Sequence, residues 1–425
     1  MAIASSQPLH QQTYSLDHDR FEELLATTEN LLIIQDLDGV CMGLVKDPRH
    51  RTIQPAYVEA TQAFDGHFYV LTNGEHIGQR GVNGIIERAY GDAAQVRQRG
   101  LYLPGLAAGG VQWQTRQGEL AHPGVSEAEL AFLRSVPEQI RQRLRAFFRD
   151  HPTNLDDATL EPGIAASALE NVASPTANLN TFHELLQDDP ATYNALQHAM
   201  AALMEDLLAA AAAQGLADSF FVHYAPNHGR GNDGKETVWF SQGPESGTTD
   251  FQFMLRGAIK EAGVLALLNR YYAQRTGTYP LGPEFSVRQA PHDHEELVAL
   301  VRDAFDPAQM PTLVGVGDTV TSQVFEVDGR PVAKRGGSDR NFLQLIQDIG
   351  RLYDNGNVVT YVDSSGGELK NRKALQIETV AGHLQVVAGP GDPRDSEDPL
   401  TLNVVFPGGY QQYCATFQAA ARRRD

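Results

Sequence analysis

The chain has 425 residues, 42% of them hydrophobic, with Cys41 and Cys414 as its two thiols; this excludes a disordered protein and a disulfide framework, and allows two or three domains. Its 34 basic and 53 acidic residues give a formal charge of -19, which excludes a binder of nucleic-acid backbone. An anionic substrate then needs a bound cation and a local lysine to reverse the field. No stretch approaches a membrane span and no basic, apolar leader opens the sequence, so a protein of the reducing cytoplasm, without membrane or nucleic-acid partners, is expected.

Phe21, Leu24 and Leu25 among acids predict a short helix over 15–28, leading into Asn30-Leu31-Leu32-Ile33-Ile34-Gln35-Asp36-Leu37-Asp38-Gly39-Val40. An apolar run of strand length ends here in two acids at i, i+2 and a glycine suited to a tight exit. In an open parallel sheet ligands bind beyond the carboxyl ends of the strands, so Asp36 and Asp38 stand where chemistry is done. A helix is predicted over 55–64. A second apolar strand, His67 to Leu71, closes in Thr72-Asn73-Gly74, a hydroxyl and an amide at a strand end. Glycine-broken strand fragments follow over 100–113, with a hairpin turn over 115–120.

From Ser126 to Gly215 the pattern turns helical, with helices predicted over 127–148, 181–186 and 193–214, the last carrying Leu196, Met200, Leu203 and Leu207 at helical spacing. That stripe reads as packing. Ser219 to Pro226 predicts a strand, and the glycine-rich 229–234 turn leads to a returning strand over 235–240. His223 stands alone on this strand, where a satisfied histidine is the bland reading and a substrate contact the sharper one. Lys260 then precedes a small-residue, leucine-rich helix over 257–269, a first-turn position that the helix dipole does not favour for a cation. Pro291 to Glu296 reads as a helix start rather than a metal site. Thr312 to Val316 is a third apolar strand, ending in Gly317-Asp318. A helix over 342–351 and strands over 357–363, 384–387 and 402–406 complete the α/β pattern, with a polar loop over 389–399.

Taken in order, the acidic turn, the strand-terminal Thr72, the lysine before a helix and the Gly317-Asp318 pair resemble the four motifs of the haloacid-dehalogenase-like phosphohydrolases. The resemblance implies an α/β fold with a Rossmann-like parallel-sheet core, 1–115 and 256–425, and a large inserted α+β cap, 116–255. It implies Mg²⁺ held by the Asp36 carboxylate, the Asp38 carbonyl and the Asp318 carboxylate, with Asp36 as nucleophile and Asp38 as acid and base. Thr72, the Asn73 backbone and Lys260 would bind the transferring phosphate, Arg256 being the alternative to Lys260. Where many relatives carry a second acid after the fourth motif this chain has Ser322, so Ser322, Asp339 or water completes the shell.

The place of the insert, and the run 221–226, are similar to trehalose- and sucrose-phosphate phosphatases, which makes His223, Tyr224 and Arg230 candidate sugar contacts. Longer runs, among them NLLIIQDLDGVCMGLVKDP, SGTTDFQFMLRG and GGSDRNFLQLIQD, resemble the glucosylglycerol-phosphate phosphatase family. That resemblance implies a small sugar-phosphate substrate, a role in compatible-solute synthesis under salt stress and a functional association with the glucosylglycerol-phosphate synthase. A trehalose or sucrose phosphate as substrate, and a non-catalytic phosphorylatable regulator, are the competing readings.

Overall fold

Strand β1 (Leu31–Gln35) is buried along its whole length, as a central strand covered on both faces must be. The computed structural model describes residues 7–45, 50–78, 80–230, 236–242, 245–327, 330–368, 372–390 and 398–424, without the side chains of 227–230 and 321–335. After β1 come β2 (Phe68–Leu71), β3 (Gly105–Ala107), β4 (Gln112–Gln114) and β5 (Leu120–Ala121). Next are β6 (Ala168–Leu169), β7 (Thr176–Asn178), β8 (Phe220–Ala225), β9 (Asn227–Arg230), β10 (Glu236–Val238) and β11 (Asp250–Leu255). The last part holds β12 (Thr312–Gly317), β13 (Thr321–Val327), β14 (Arg330–Gly336), β15 (Val358–Val362), β16 (Gln376–Val380), β17 (His383–Ala388) and β18 (Val404–Phe406).

The described chain divides into two compact units, 1–76 with 80–124 and 259–425, and 77–79 with 125–258. The junctions fall near 124 and 258, against 115 and 255 expected from the sequence, because the β4–β5 hairpin pairs onto the edge of the main sheet through β3.

In the first unit an eight-stranded sheet runs β18-β15-β12-β1-β2-β3-β4-β5. The six strands from β18 to β3 are parallel and the last two antiparallel. The chain builds outward from β1 to β3, then returns to β12 on the other side of β1 and builds the opposite way. The order therefore reverses at β1, the point where open α/β sheets bind their ligands. Side chains alternate along β1. Leu31 and Ile33 join a core with Phe21, Leu25, Tyr57, Val58, Tyr413 and Phe417, and Gln35 on the same side accepts bonds from Tyr57 (2.9 Å) and Tyr413 (2.6 Å). Leu32, Ile34 and Asp36 face the other way, where the helix Lys260–Thr276 packs on β1. With each buried Leu or Ile worth about 1.5–3 kcal/mol, a one-residue slip of β1 would carry the acids to the wrong face at a cost of several such side chains.

Beside this sheet the C-terminal helix Gly409–Arg424 is clamped to the helix His18–Thr27: Arg423 pairs with Glu22 and Glu23, and Arg424 donates to the Leu25 and Thr28 carbonyls. Arg423 and Arg424 are thus structural. Cys41 and Cys414 are buried free thiols. Among the described residues no helix is long and apolar enough to cross a membrane.

The second unit is a four-stranded antiparallel sheet, β6-β7-β11-β8, backed by the helices Glu127–Asp150 and Pro190–Ala213. Phe132 of the first helix lies on Phe220 and Phe253 of the sheet, and Leu196, Met200, Leu203 and Leu207 of the second are buried, as their spacing requires. Two features differ from the sequence reading. The returning strand β10 pairs with β9 rather than β8, and β8 pairs instead with β11, a central strand whose alternating Asp250-Phe251-Gln252-Phe253 pattern buries one face only. Lys235 and most of the 389–399 loop lie outside the described residues.

Candidate active site

Parallel pairing fixes the site before any side chain is considered. Gln35 is in register with Val70 on one side and Val316 on the other, so Asp36, Thr72 and Asp318 leave three adjacent strands at the same edge. The Asp38 turn closes at once, Gly39 N–H donating to the Met42 carbonyl at 2.9 Å. Gly39 has φ +80°, and a Cβ there would collide with Asp318 Oδ2. Its lack of a side chain lets the acidic turn lie against the third strand.

Lys260, 4% exposed, opens its helix without a side-chain cap, and its ammonium compensates for that dipole-disfavoured place by pairing with two acids. Nζ donates to Asp339 Oδ1 at 2.7 Å and lies 2.9 Å from Asp36 Oδ1. Asp36 Oδ1 is off the line of a directional hydrogen bond, so the second contact is an ion pair. Asp339 precedes the helix Arg340–Tyr353 without capping it. Its other oxygen, Oδ2, accepts the backbone N–H of Asp318 (2.9 Å) and Thr319 (3.0 Å). A Cβ on Gly317 would strike the Asp339 side chain, which is why glycine precedes the acid. Arg256, the alternative lysine position, belongs to the second unit and donates to the Phe220 carbonyl.

The electrostatics favour a positive charge beside the acids. Burial pushes Asp36 up to about 7, Lys260 opposing it while Asp339 and Asp38 add to the rise. Burial, then Asp339 and Asp36, drive Asp318 well above the carboxylate range, a hydrogen bond from Thr319 Oγ1 opposing them. Asp38 is also raised by burial, with Arg51 and Lys260 pulling down. Burial pulls the Lys260 ammonium down, but Asp339 and Asp36 outweigh it and leave it above its ordinary value. Oxygens of Asp36, Asp318 and Asp339 lie within 4.8 Å of one another, and Asp318 Oδ2 is buried without a hydrogen-bond partner. Hard oxygen donors with an unsatisfied lone pair, excess negative charge and one lysine fit a divalent cation of the magnesium kind. Both oxygens of Asp339 are engaged, so Asp339 braces the loop and the lysine. The side chain of Ser322 lies outside the described ones.

On the phosphate side, Thr72 is 3% exposed and its Oγ1 accepts the Gly74 N–H at 3.2 Å. Its loop is braced by Gly109 N–H to the Thr72 carbonyl and Ala108 N–H to the Gly74 carbonyl. Beneath it Asn83 and Gln114 exchange bonds of 2.6 and 3.0 Å, and Gln112 accepts the His76 N–H at 2.7 Å. Burial pulls His76 down to about 4, so the loop rests on a neutral network. Asn73 is exposed. Two arginines that the sequence reading missed border the acids: Arg51 Nη1 is 3.2 Å from Asp38 Oδ2, and Arg372 bonds Thr319 Oγ1 at 3.0 Å with its Nε 3.8 Å from Asp318 Oδ2. Neither has a local sequence signal.

In the second unit His223 Nδ1 pairs with Glu236 Oε2 at 2.8 Å, the same carboxylate that accepts the Tyr224 N–H at 2.9 Å. Tyr224 is buried edge-on against Phe251. The Arg230 side chain lies outside the described ones.

A strand-end carboxylate held by a buried lysine, beside a second strand-end acid at the reversal of a parallel sheet, stands where an open α/β sheet takes its ligand, and the chain is of the phosphatase class. It belongs, more narrowly, to the glucosylglycerol-phosphate phosphatase family, whose model matches residues 30–421. A glucosylglycerol-phosphate phosphatase of Synechocystis sp. is 63% identical over 416 residues, 98% of each chain. Among solved structures, the C-terminal domain of Candida albicans trehalose-6-phosphate phosphatase is similar at 10% identity and TM-score 0.42, covering 96% of this chain and 99% of that one. The Aspergillus fumigatus trehalose-6-phosphate phosphatase is similar at 11% and 0.35, covering 84% and 91%. Likeness at those scores adds no weight.

Proposed function

We propose that the protein hydrolyses 2-O-(α-D-glucosyl)-sn-glycerol 3-phosphate to glucosylglycerol and phosphate, in the cytoplasm, as a step in making a compatible solute under salt stress. The substrate rests on membership of the family and the 63% identical relative. The chemistry rests on one observation, the Asp36 carboxylate held 2.9 Å from Lys260 among further acids.

Asp36 attacks phosphorus, and the bond to the glycerol oxygen breaks as the aspartyl-phosphate bond forms. Asp38 gives its proton to the leaving alkoxide and takes one from the water that then cleaves the acyl phosphate, restoring both acids. Thr72 Oγ1, the Asn73 N–H and the Lys260 ammonium hold the transferring oxygens. Magnesium, when bound by the carboxylates of Asp36 and Asp318 and the Asp38 carbonyl, would screen the repulsion between two anions and polarise the phosphoryl group. Lys260 and Asp339 keep Asp36 in place. His223 and Tyr224, with Arg230, read the glucosyl group, and the synthase that makes the phosphorylated precursor is a functional partner.

Phosphate release from glucosylglycerol phosphate, trehalose 6-phosphate and sucrose 6-phosphate with Mg²⁺ tests this. A marked preference for the first is expected, and no turnover by Asp36→Asn. Equal or faster release from either disaccharide phosphate would remove the substrate; a fully active Asp36→Asn enzyme would remove the nucleophile.

A further inference from the structure

Of the charged groups around the acidic turn, Lys260, Asp36, Asp318 and Asp339 are all buried. The pair at the mouth is different: the Arg51 side chain is 17% exposed and that of Asp38 29%. Two residues past Arg51, Ile53 is buried in the core, and four past it the helix Pro55–Ala60 begins, so the backbone that carries the arginine is anchored on its C-terminal side. Its guanidinium has five donors in a planar fork, and its described partner is one carboxylate oxygen at 3.2 Å.

Two requirements conflict at this contact. The Asp38 oxygen engaged by the guanidinium, Oδ2, is not free to serve a leaving oxygen, yet Asp38 has that task in the reading above. A phosphate ester, with its double charge and three acceptor oxygens, also takes directional donors from the protein beyond a bound divalent cation. Lys260 is already divided between Asp36 and Asp339, and Arg372 is bonded to Thr319. Exchange of one partner for another meets both needs.

We propose that Arg51 is a substrate-contacting gate: it holds Asp38 before substrate arrives, then transfers its fork to an oxygen of the phosphate ester and releases Asp38 toward the leaving group. This rests on the phosphohydrolase reading and extends it to a residue outside the four motifs. In the full-length protein, Arg51→Gln should lower kcat/KM by about 10- to 100-fold, the worth of a hydrogen bond to a charged group, mostly through KM. The inhibition constant of inorganic phosphate should rise in step. Arg51→Lys, which keeps the charge but loses the fork, should recover part of both, and the effects of Arg51→Gln and Asp38→Asn should be less than additive.

Unchanged KM and phosphate inhibition in a folded Arg51→Gln enzyme would overturn the proposal. So would a fall in kcat alone with phosphate inhibition untouched, because a merely structural arginine would give that. An active Asp36→Asn enzyme would count against the phosphoryl-transfer reading instead, while phosphate inhibition of Arg51→Gln would still decide whether Arg51 touches the anion.

Discussion

Asp36 is the group whose ionisation the fold resists most usefully for experiment. Its pKa is 3.8 in an unstructured chain and about 7 here, so the folded protein binds this proton more tightly than the unfolded one. The resulting stabilisation is complete below about pH 4 and is lost as the pH rises through about 7, with stability falling between. At 1.36 kcal/mol per pKa unit the whole displacement is worth roughly 4 kcal/mol, of which about 3 kcal/mol falls between pH 5 and pH 8. With ordinary unfolding entropy per residue, that is about 5 °C in melting temperature for a unit of this size. The perturbation is Asp36→Asn in chelator, compared with the parent chain by thermal melting at closely spaced pH values. Subtracting the two curves cancels the titrating groups that do not interact with Asp36 and leaves Asp36 together with its effect on Asp318 and Lys260. The parent should lose about 5 °C relative to Asp36→Asn between pH 5 and pH 8, and added Mg²⁺ should restore most of it to the parent alone. Parallel curves in chelator would refute the claim that burial, uncompensated by a cation, controls this carboxyl.

Lys260→Met leaves Asp36 and Asp339 buried without their common cation; turnover should vanish and urea denaturation should show a loss of about 3–5 kcal/mol. Gly39→Ala forces a side chain into a left-handed turn and against Asp318; it should cost about 1–2 kcal/mol in stability but a much larger share of kcat, measured side by side. His76, neutral and pulled to about 4 from 6.5, stabilises above pH 6.5 and loses that contribution as the pH falls through about 4. His76→Gln should therefore flatten the acid limb of the stability curve by about 3 kcal/mol, read by denaturant unfolding between pH 4 and pH 7.

What the sequence displayed was whatever depends on neighbours along the chain. β1, β2 and β12 are apolar runs ended by polar residues, and the acids and threonine that leave them, like the lysine that opens the helix Lys260–Thr276, needed no tertiary knowledge to be singled out. Strand β11 was harder, because a half-buried strand shows apolar residues only at alternate positions and Asp250 and Gln252 break the run. Asp339 could be no more than an alternative: β13 and β14 separate it from Asp318, and only the fold brings it back to Lys260. Arg51 and Arg372 carry no pattern at all. A lone arginine in a loop is common, and its meaning comes from the acid it meets.

The pairing of β1 has a consequence for how the molecule is made. Leu31 is in register with Thr312, so during translation the inner edge of the first strand waits for about 280 more residues, on the order of 15–60 s at usual ribosomal speeds. Throughout that interval an apolar ribbon with open amide and carbonyl groups is available to any passing strand. Yield of native protein should then depend on chaperone supply and growth temperature more than the finished molecule's own stability suggests.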